Sequence, residues 1–466
     1  MFFRVILLLI FIGGAGCSPN IPFLNINLDQ ITNPKETNTV VAPKETTAAP
    51  QETVASKTVK ISETKPDKKV RIDPRLKKIL STPSLLAKKQ SIIAAQKAVS
   101  IVKSQSETQV VASSNLGPSL DDDTLELDAT TGLTMSKMIS DGGALVALTD
   151  AANLNVVASQ LIYNQSINKQ LIEIIKSEQT IINFRKVKAI YDEQLKVYSE
   201  NLPLIESAVK ANVVSKTDAL KLEQLKLKSE EAFLTAKTAS EASQIIRDKY
   251  KLDDRDEFFE LNTTNWKSFD KKSSKITLPN IELIETQIKI LEKDINAIQA
   301  SFKANVSFAG NATANVSDLN NSVGFVGLNI SLPLKDGGKK NFEIEEKELQ
   351  LVGLQQQKDE AVLLNITSFK ALSNFDKIYT TRSNLLEMQI ENSQVISEDM
   401  ELKLRAGAAS VIDLATEKMN LFDLRSQKVS LEFQKINEII KFYGTIGLEC
   451  DLAELCDQIS YSAELD

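Results

Sequence analysis

Residues 303–338 read KANVSFAGNATANVSDLNNSVGFVGLNISLPLKDGG. The even positions of the first half are Ala304, Val306, Phe308, Gly310, Ala312, Ala314 and Val316. The odd positions carry Lys303, Asn305, Ser307, Asn311, Thr313, Asn315 and Ser317. After Asp318-Leu319-Asn320-Asn321 the alternation resumes, with Val326, Leu328, Ile330, Leu332 and Leu334 on the even positions and Asn329 and Ser331 between them. A period of two predicts two antiparallel strands, over about 303–334, with one apolar and one polar face. Each is long enough to cross a bilayer as a tilted strand, which takes about 9–11 residues.

The stretch closes on Asp336-Gly337-Gly338, and Asp141-Gly142-Gly143 repeats it. Further on, Ala406-Gly-Ala-Ala-Ser-Val-Ile-Asp413 repeats Ala211-Asn-Val-Val-Ser-Lys-Thr-Asp218. Both pairs are offset by 195 residues (336 − 141 and 406 − 211). One offset held over so long a span means two copies of one large unit. In the first copy Leu125, Leu127, Leu133 and Met135 alternate with Glu126, Asp128, Thr134 and Ser136, and a weaker strand precedes them at about Thr108–Ser114. The strands of the first copy are therefore expected over about 108–139.

Glycine pairs suit a chain that converts from strand to helix without a loop. The helices predicted after them run from Ala144 to Lys210 and from Lys339 to Arg405, interrupted only by Pro203. At 1.5 Å per residue each is roughly 100 Å long, a length that belongs to coiled-coil-like packing. Asn212 and Gly407 sit where a helix ends in the left-handed conformation. Ser215-x-x-Asp218 and Ser410-x-x-Asp413 resemble capping boxes that open the next helices, predicted at about 216–249 and 411–446. These return helices are half the length of their partners. Helices at about 84–106 and 279–302 are expected to stack end to end with them. The polar segment 253–277, with Trp266, joins the copies at mid-length.

The organisation predicted is a signal peptide over 1–16, Cys17 followed by a disordered tether to residue 75, repeat 1 over 76–250, a joining segment over 251–278, repeat 2 over 279–448, and a tail over 449–466. The leader is Arg4 with the apolar run Val5–Ile12, too short to span a bilayer as a helix. The tether is rich in Thr, Pro, Lys and Glu and cannot bury enough apolar surface to offset its ordering entropy.

Composition removes whole classes of function. With no histidine in 466 residues, histidine bases, Ser-His or Cys-His catalysis and most zinc sites are excluded. A net charge of −7 argues against a nucleic-acid partner. There is no Gly-rich phosphate loop or dinucleotide fingerprint. No enzyme, cofactor or metal site is expected. Cys450 and Cys456 could form a local disulfide in an oxidising compartment, which would require a turn between them.

Four alternating strands cannot close a barrel, and a bilayer forbids open sheet edges. Membrane strands of this kind would need several chains to share one barrel. The strands lack the Tyr/Trp girdles of ordinary outer-membrane barrels, with only Phe308 and Phe325 well inside them.

The strand–Asp-Gly-Gly–helix junction, with Pro333 just before Lys335-Asp-Gly-Gly338, resembles that of the TolC-like outer membrane efflux protein family. Ala406–Leu414 and Ala211–Leu220 resemble its hairpin tips, and Ser81-Thr-Pro-Ser-Leu85 the opening of its first repeat. Ser140 stands before Asp141, a departure at the first junction. The resemblance covers about 75–448. It implies an α+β membrane protein: a homotrimer with a twelve-strand outer-membrane barrel, four strands per chain, continued by a long periplasmic α-helical barrel. It also implies passive exit to the outside in a tripartite efflux or type I secretion system. The tips would meet a periplasmic adaptor, coupled to an inner-membrane transporter that supplies the energy. The tip residues are Val214, Ser215, Asp218, Ala409, Ser410 and Asp413. Glu398 and Glu401, nine and six residues before Gly407, would form an acidic ring at the tunnel entrance. Gly13-Gly14-Ala15-Gly16-Cys17 resembles a lipoprotein cleavage site, with Cys17 lipidated and Ser18 compatible with outer-membrane sorting. The competing expectation is a cell-envelope coiled-coil lipoprotein scaffold without a channel.

Overall fold

The computed structural model describes residues 72–121, 124–253, 256–269, 278–315 and 322–459. The signal peptide, Cys17 and the tether up to residue 71 lie outside the described residues.

Two copies of strand, strand, long helix, return helix follow one another. In the first are β1 (Gln109–Asp121), β2 (Thr124–Ser140), α3 (Ala144–Lys210) and α4 (Lys216–Lys249). In the second are β3 (Asn305–Asn315), β4 (Val323–Ser331), α6 (Lys339–Arg405) and α7 (Val411–Ile446). Each copy is preceded by a shorter helix, α2 (Pro83–Ser104) and α5 (Pro279–Ser301), and each of these opens on proline in its first turn. Helix α1 (Pro74–Leu80) was not anticipated. It starts inside the expected tether, where Asp73 caps it through the Arg75 backbone N–H at 2.8 Å. Helix α8 (Glu449–Leu452) follows α7.

The four strands form one antiparallel sheet in the order β1-β2-β3-β4. The first copy's strands are the longer pair, 13 and 17 residues against 11 and 9. The weak alternation of β1 had hidden this. Conversely, β4 stops at Ser331, so Leu332 and Leu334 fall beyond it; Pro333 has no N–H to continue a ladder.

Directly opposed residues share a face, so the register sorts the side chains. Val110, Met135, Gly310 and Val326 form one row, and Ala112, Leu133, Ala312 and Gly324 the next. Phe308 and Leu328, then Val306 and Ile330, extend this apolar face. The other face presents Ser113, Gly132 and Thr313, Thr134 and Asn311, and Ser307 and Asn329. The alternation read in 303–334 extends into β2 and β1 with departures: Lys137, Thr131 and Ser114 fall on the apolar face, and Val111, Met138 and Val323 on the polar one. The large side chains of the apolar face, among them Leu133, Val326, Leu328 and Ile330, are exposed.

The core sits where helices end. The close of α7 meets the start of α5: a Cβ added at Gly447 would lie 3.6 Å from Asn280 N and Pro279 Cβ. The end of α4 and the start of α2 meet one turn of α3. Tyr250 donates to Glu173 (2.5 Å), and Thr82 donates to Gln170 (3.0 Å). End-to-end stacking thus brings each return helix up to the length of its long partner. Leu76, Ile79, Leu85, Ile167, Leu171 and Ile174 pack there with Tyr250, Phe442, Tyr443 and Ile446. Trp266 of the joining segment is buried against Phe369, which also meets Phe269 and Phe442.

Candidate functional site

The two strand-to-helix junctions are built alike. Gly142, Gly143, Gly337 and Gly338 have φ of 68, 98, 69 and 91°, all in the left-handed region that glycine enters without steric cost. The capping residue is the aspartate ahead of them. Asp141 Oδ1 accepts from Gly143 N–H at 3.0 Å, and its Oδ2 accepts from Leu145 N–H. Asp336 accepts from Gly338 N–H (3.0 Å) and Lys340 N–H (2.9 Å). These amides hold the Asp336 carboxyl below its usual value. A carboxylate here also meets the positive end of a 67-residue helix. Each Asp-Gly-Gly thus turns a strand into a helix and satisfies its first amides. Ser140 in place of a proline did not alter the first junction. There β2 runs up to Ser140 through a bulge after Met138, still paired to β3.

The tips match as closely. Asn212 and Gly407 have φ of 56 and 73°. Val213 N–H reaches back to Ala208 O (2.9 Å) and Ala408 N–H to Lys403 O (2.7 Å), the Schellman closure. Ser215 Oγ accepts from Asp218 N–H (3.1 Å) and Ser410 Oγ from Asp413 N–H (3.2 Å). At Ser410 the reciprocal bond completes a capping box. Ser215, Ala409, Ser410, Asp413 and Asp218 all reach the surface wholly or in part. Val214 does not: it is buried with Ile205, Leu222, Ile412, Met419 and Phe422, and the exposed apolar residue of that tip is Val213.

Of the two carboxylates expected at a tunnel entrance, Glu398 is exposed and, among the described residues, accepts from Gln394 on its own helix (3.3 Å). Glu401 is engaged by Arg405 (3.0 Å) and Lys418 (3.6 Å), and the charges of Lys418 and Arg405 hold its carboxyl below the usual range. Lys403 pairs with Asp399 (2.5 Å). Lys403, Arg405 and Lys418 thus each have a carboxylate partner within the chain. Cys450 and Cys456 are disulfide-bonded around the turn that ends α8.

One cluster had no sequence signal. Glu178 on α3 and Arg247 on α4 are each 1 % exposed and 3.6 Å apart. Glu178 accepts from Phe259 N–H (2.9 Å), and Arg247 donates to the carbonyls of Asp253 and Asp256. Arg185 and Arg247 both lie on the Phe258 ring, and Arg75 on Phe259. Burial pushes the Glu178 carboxyl up to about 7. The pair ties the joining segment to the helices at mid-length. Among the described residues no cluster of metal-ligating side chains occurs.

No family model matches the chain. Over 166 residues it is 25% identical to the outer membrane protein TolC of Salmonella enteritidis, and that segment is 34% of each protein. The chain thus spans about a third of the length of the curated relative it matches. The fold matches far more. The outer membrane protein VceC of Vibrio cholerae superposes with a TM-score of 0.68 over 80% of this chain and 95% of that one, at 13% identity. The CmeC outer membrane channel of Campylobacter jejuni does so at 0.65 over 84% and 90%, again at 13% identity. By fold over four-fifths of its length, and by sequence over the shared segment, the chain resembles TolC and the outer membrane channels VceC and CmeC.

Proposed function

We propose that the chain is the outer-membrane exit duct of a tripartite export system, an efflux or type I secretion machine. The carrying observation is the four-stranded sheet with one apolar and one polar face. Among the described residues its outer strands β1 and β4 have no further partner. A sheet whose large apolar side chains are exposed along one face fits a lipid boundary, and in lipid such edges must be closed by further copies. Three copies would give twelve strands. Exposed apolar residues on the helices fit the same assembly. Leu220, Leu227 and Leu234 recur every seven residues along α4, and Leu349, Leu363, Leu385 and Leu402 stand exposed on α6. The channel proteins that share the fold support passive conduction rather than catalysis. The capped tips would meet a periplasmic adaptor through Val213, Ser215, Ala409 and Ser410, and an inner-membrane transporter would supply the energy. Cys17 would carry a lipid anchor to the outer membrane. Glu398 would form the acidic ring at the entrance, with Glu401 braced beside it.

Electron microscopy of the detergent-solubilised protein tests this. The expected result is a hollow three-fold particle well over 100 Å long, since one long helix alone measures roughly that. A solid rod or a single-chain particle would remove the duct and return the chain to an envelope scaffold.

A further inference from the structure

On the polar sheet face one row departs from its neighbours. It runs from Val111 through Thr134 and Asn311 to Phe325. Phe325 is an odd-numbered residue of β4, so it points to the side of Asn329 and Ser331 and away from Val326, Leu328 and Ile330. The residue is 58 % exposed. It leans along its own strand over Gly327: a Cβ added there would come within 2.5 Å of the ring Cζ. The residue across from Gly327 is Ala309. Two small residues thus make room for the ring, and Gly327 is the one residue of β4 that is partly buried. Val111, Met138 and Val323 also stand on this face among its hydroxyls and amides, but Phe325 is the one aromatic group among its described side chains, and a ring left exposed there forfeits its burial unless something apolar visits it.

We propose that Phe325 is a contact site for the aromatic part of cargo as it passes the exit pore. This rests on the duct reading, in which the polar face lines the lumen. Each copy would supply one ring, on the edge strand that faces the next copy, and the class of cargo favoured is amphipathic aromatic cations. The ring quadrupole attracts the positive charge, and the ring surface stacks on flat apolar groups. Thr134 and Asn311 beside it offer hydrogen bonds to the polar remainder. No charged side chain stands among the described side chains of this face, so neither sign of charge is repelled.

The test uses the full-length protein in planar bilayers, with tetraphenylphosphonium and tetraethylammonium as probes of equal charge. The wild-type pore should be blocked longer by the aromatic cation. Phe325→Ala should shorten that block about three- to tenfold while leaving open-pore conductance unchanged. Phe325→Tyr should retain it. Equal block in Phe325→Ala and wild type would overturn the proposal while the conducting pore upheld the duct. Loss of assembly in Phe325→Ala would also overturn it, assigning the ring to the seam between copies. A wild-type assembly that conducts no ions would overturn the duct reading and this site with it.

Discussion

Gly142 and Gly337 occupy equivalent places in the two copies, with φ of 68 and 69°. Alanine at either position pays for a left-handed residue, about 1–2 kcal/mol. Their surroundings differ. A Cβ at Gly142 would sit 2.6 Å from Lys303 Cβ and 2.8 Å from Ala300 O, whereas at Gly337 nothing lies within 4 Å. The atoms crowding residue 142 are backbone and Cβ at the end of α5 and cannot swing aside. Overpacking of that kind adds about 1–3 kcal/mol. Gly337→Ala should therefore cost about 1–2 kcal/mol, and Gly142→Ala about 2–5 kcal/mol. Chemical denaturation in detergent, followed by circular dichroism, gives both values from one series. Asparagine, which tolerates the left-handed region, should cost less than alanine at 337 and should bring no relief at 142. Equal losses for the two alanine variants would refute the assignment of α5 as a fixed wall behind the first junction.

Stability should fall as pH rises from about 4.5 to about 7. Glu178 and Glu449 are both raised by burial from 4.5 to about 7, so the folded state holds their protons more tightly than the unfolded chain does. Each group then contributes stability that is full below about 4.5 and lost by about 7, at most about 3 kcal/mol (2.5 units at 1.36). Glu178→Gln should remove about half of that slope in denaturant midpoints taken at about pH 5 and about pH 8, and an unchanged slope would exclude the buried carboxyl as its source. Val214→Asp should destabilise the tip by about 2–4 kcal/mol, since it buries a charge among Ile205, Met419 and Phe422. Val213→Asp should leave stability intact and weaken export, a split readable by pairing thermal melts with transport assays. Ser410→Ala should cost about 1 kcal/mol through the lost cap, seen as a lower melting temperature.

Local chemistry made much of this fold legible. The Asp-Gly-Gly junctions, the Asn212 and Gly407 helix ends and the serine caps each depend on a few adjacent residues, and the structure builds them as the residue types require. The alternation of β3 and β4 was readable because one face is almost purely apolar. In β1, Val110 and Val111 are neighbours on opposite faces and Ser114 stands on the apolar one, so the pattern blurred while the ladder with β2 persisted. What the sequence hid was long-range. Arg247 meets Glu178 across 69 residues (247 − 178) only because α3 and α4 run antiparallel from the tip. No periodicity marks either residue, and nothing in Val213-Val214 tells which of two adjacent valines enters the core.

The same limit governs Glu398 and Glu401, the carboxylates proposed for the entrance. Spacing put Glu398 and Glu401 on one helix face and treated them as equals. Their partners separate them, because Lys418 belongs to α7, across the hairpin from Glu401. A carboxylate between Lys418 and Arg405 adds little net negative field to a lumen, since two cations lie within 4 Å of it. Glu398 has only an amide donor, so in a three-fold assembly its charge would be the one felt by passing ions. Replacing Glu398 alone with glutamine should therefore lower cation preference in bilayer recordings nearly as much as replacing both. Glu401→Gln should instead loosen the hairpin, through the unpaired Lys418, and leave ion preference close to wild type. If Glu401→Gln shifts selectivity as strongly as Glu398→Gln, the cross-hairpin ion pair does not neutralise it, and both carboxylates face the lumen.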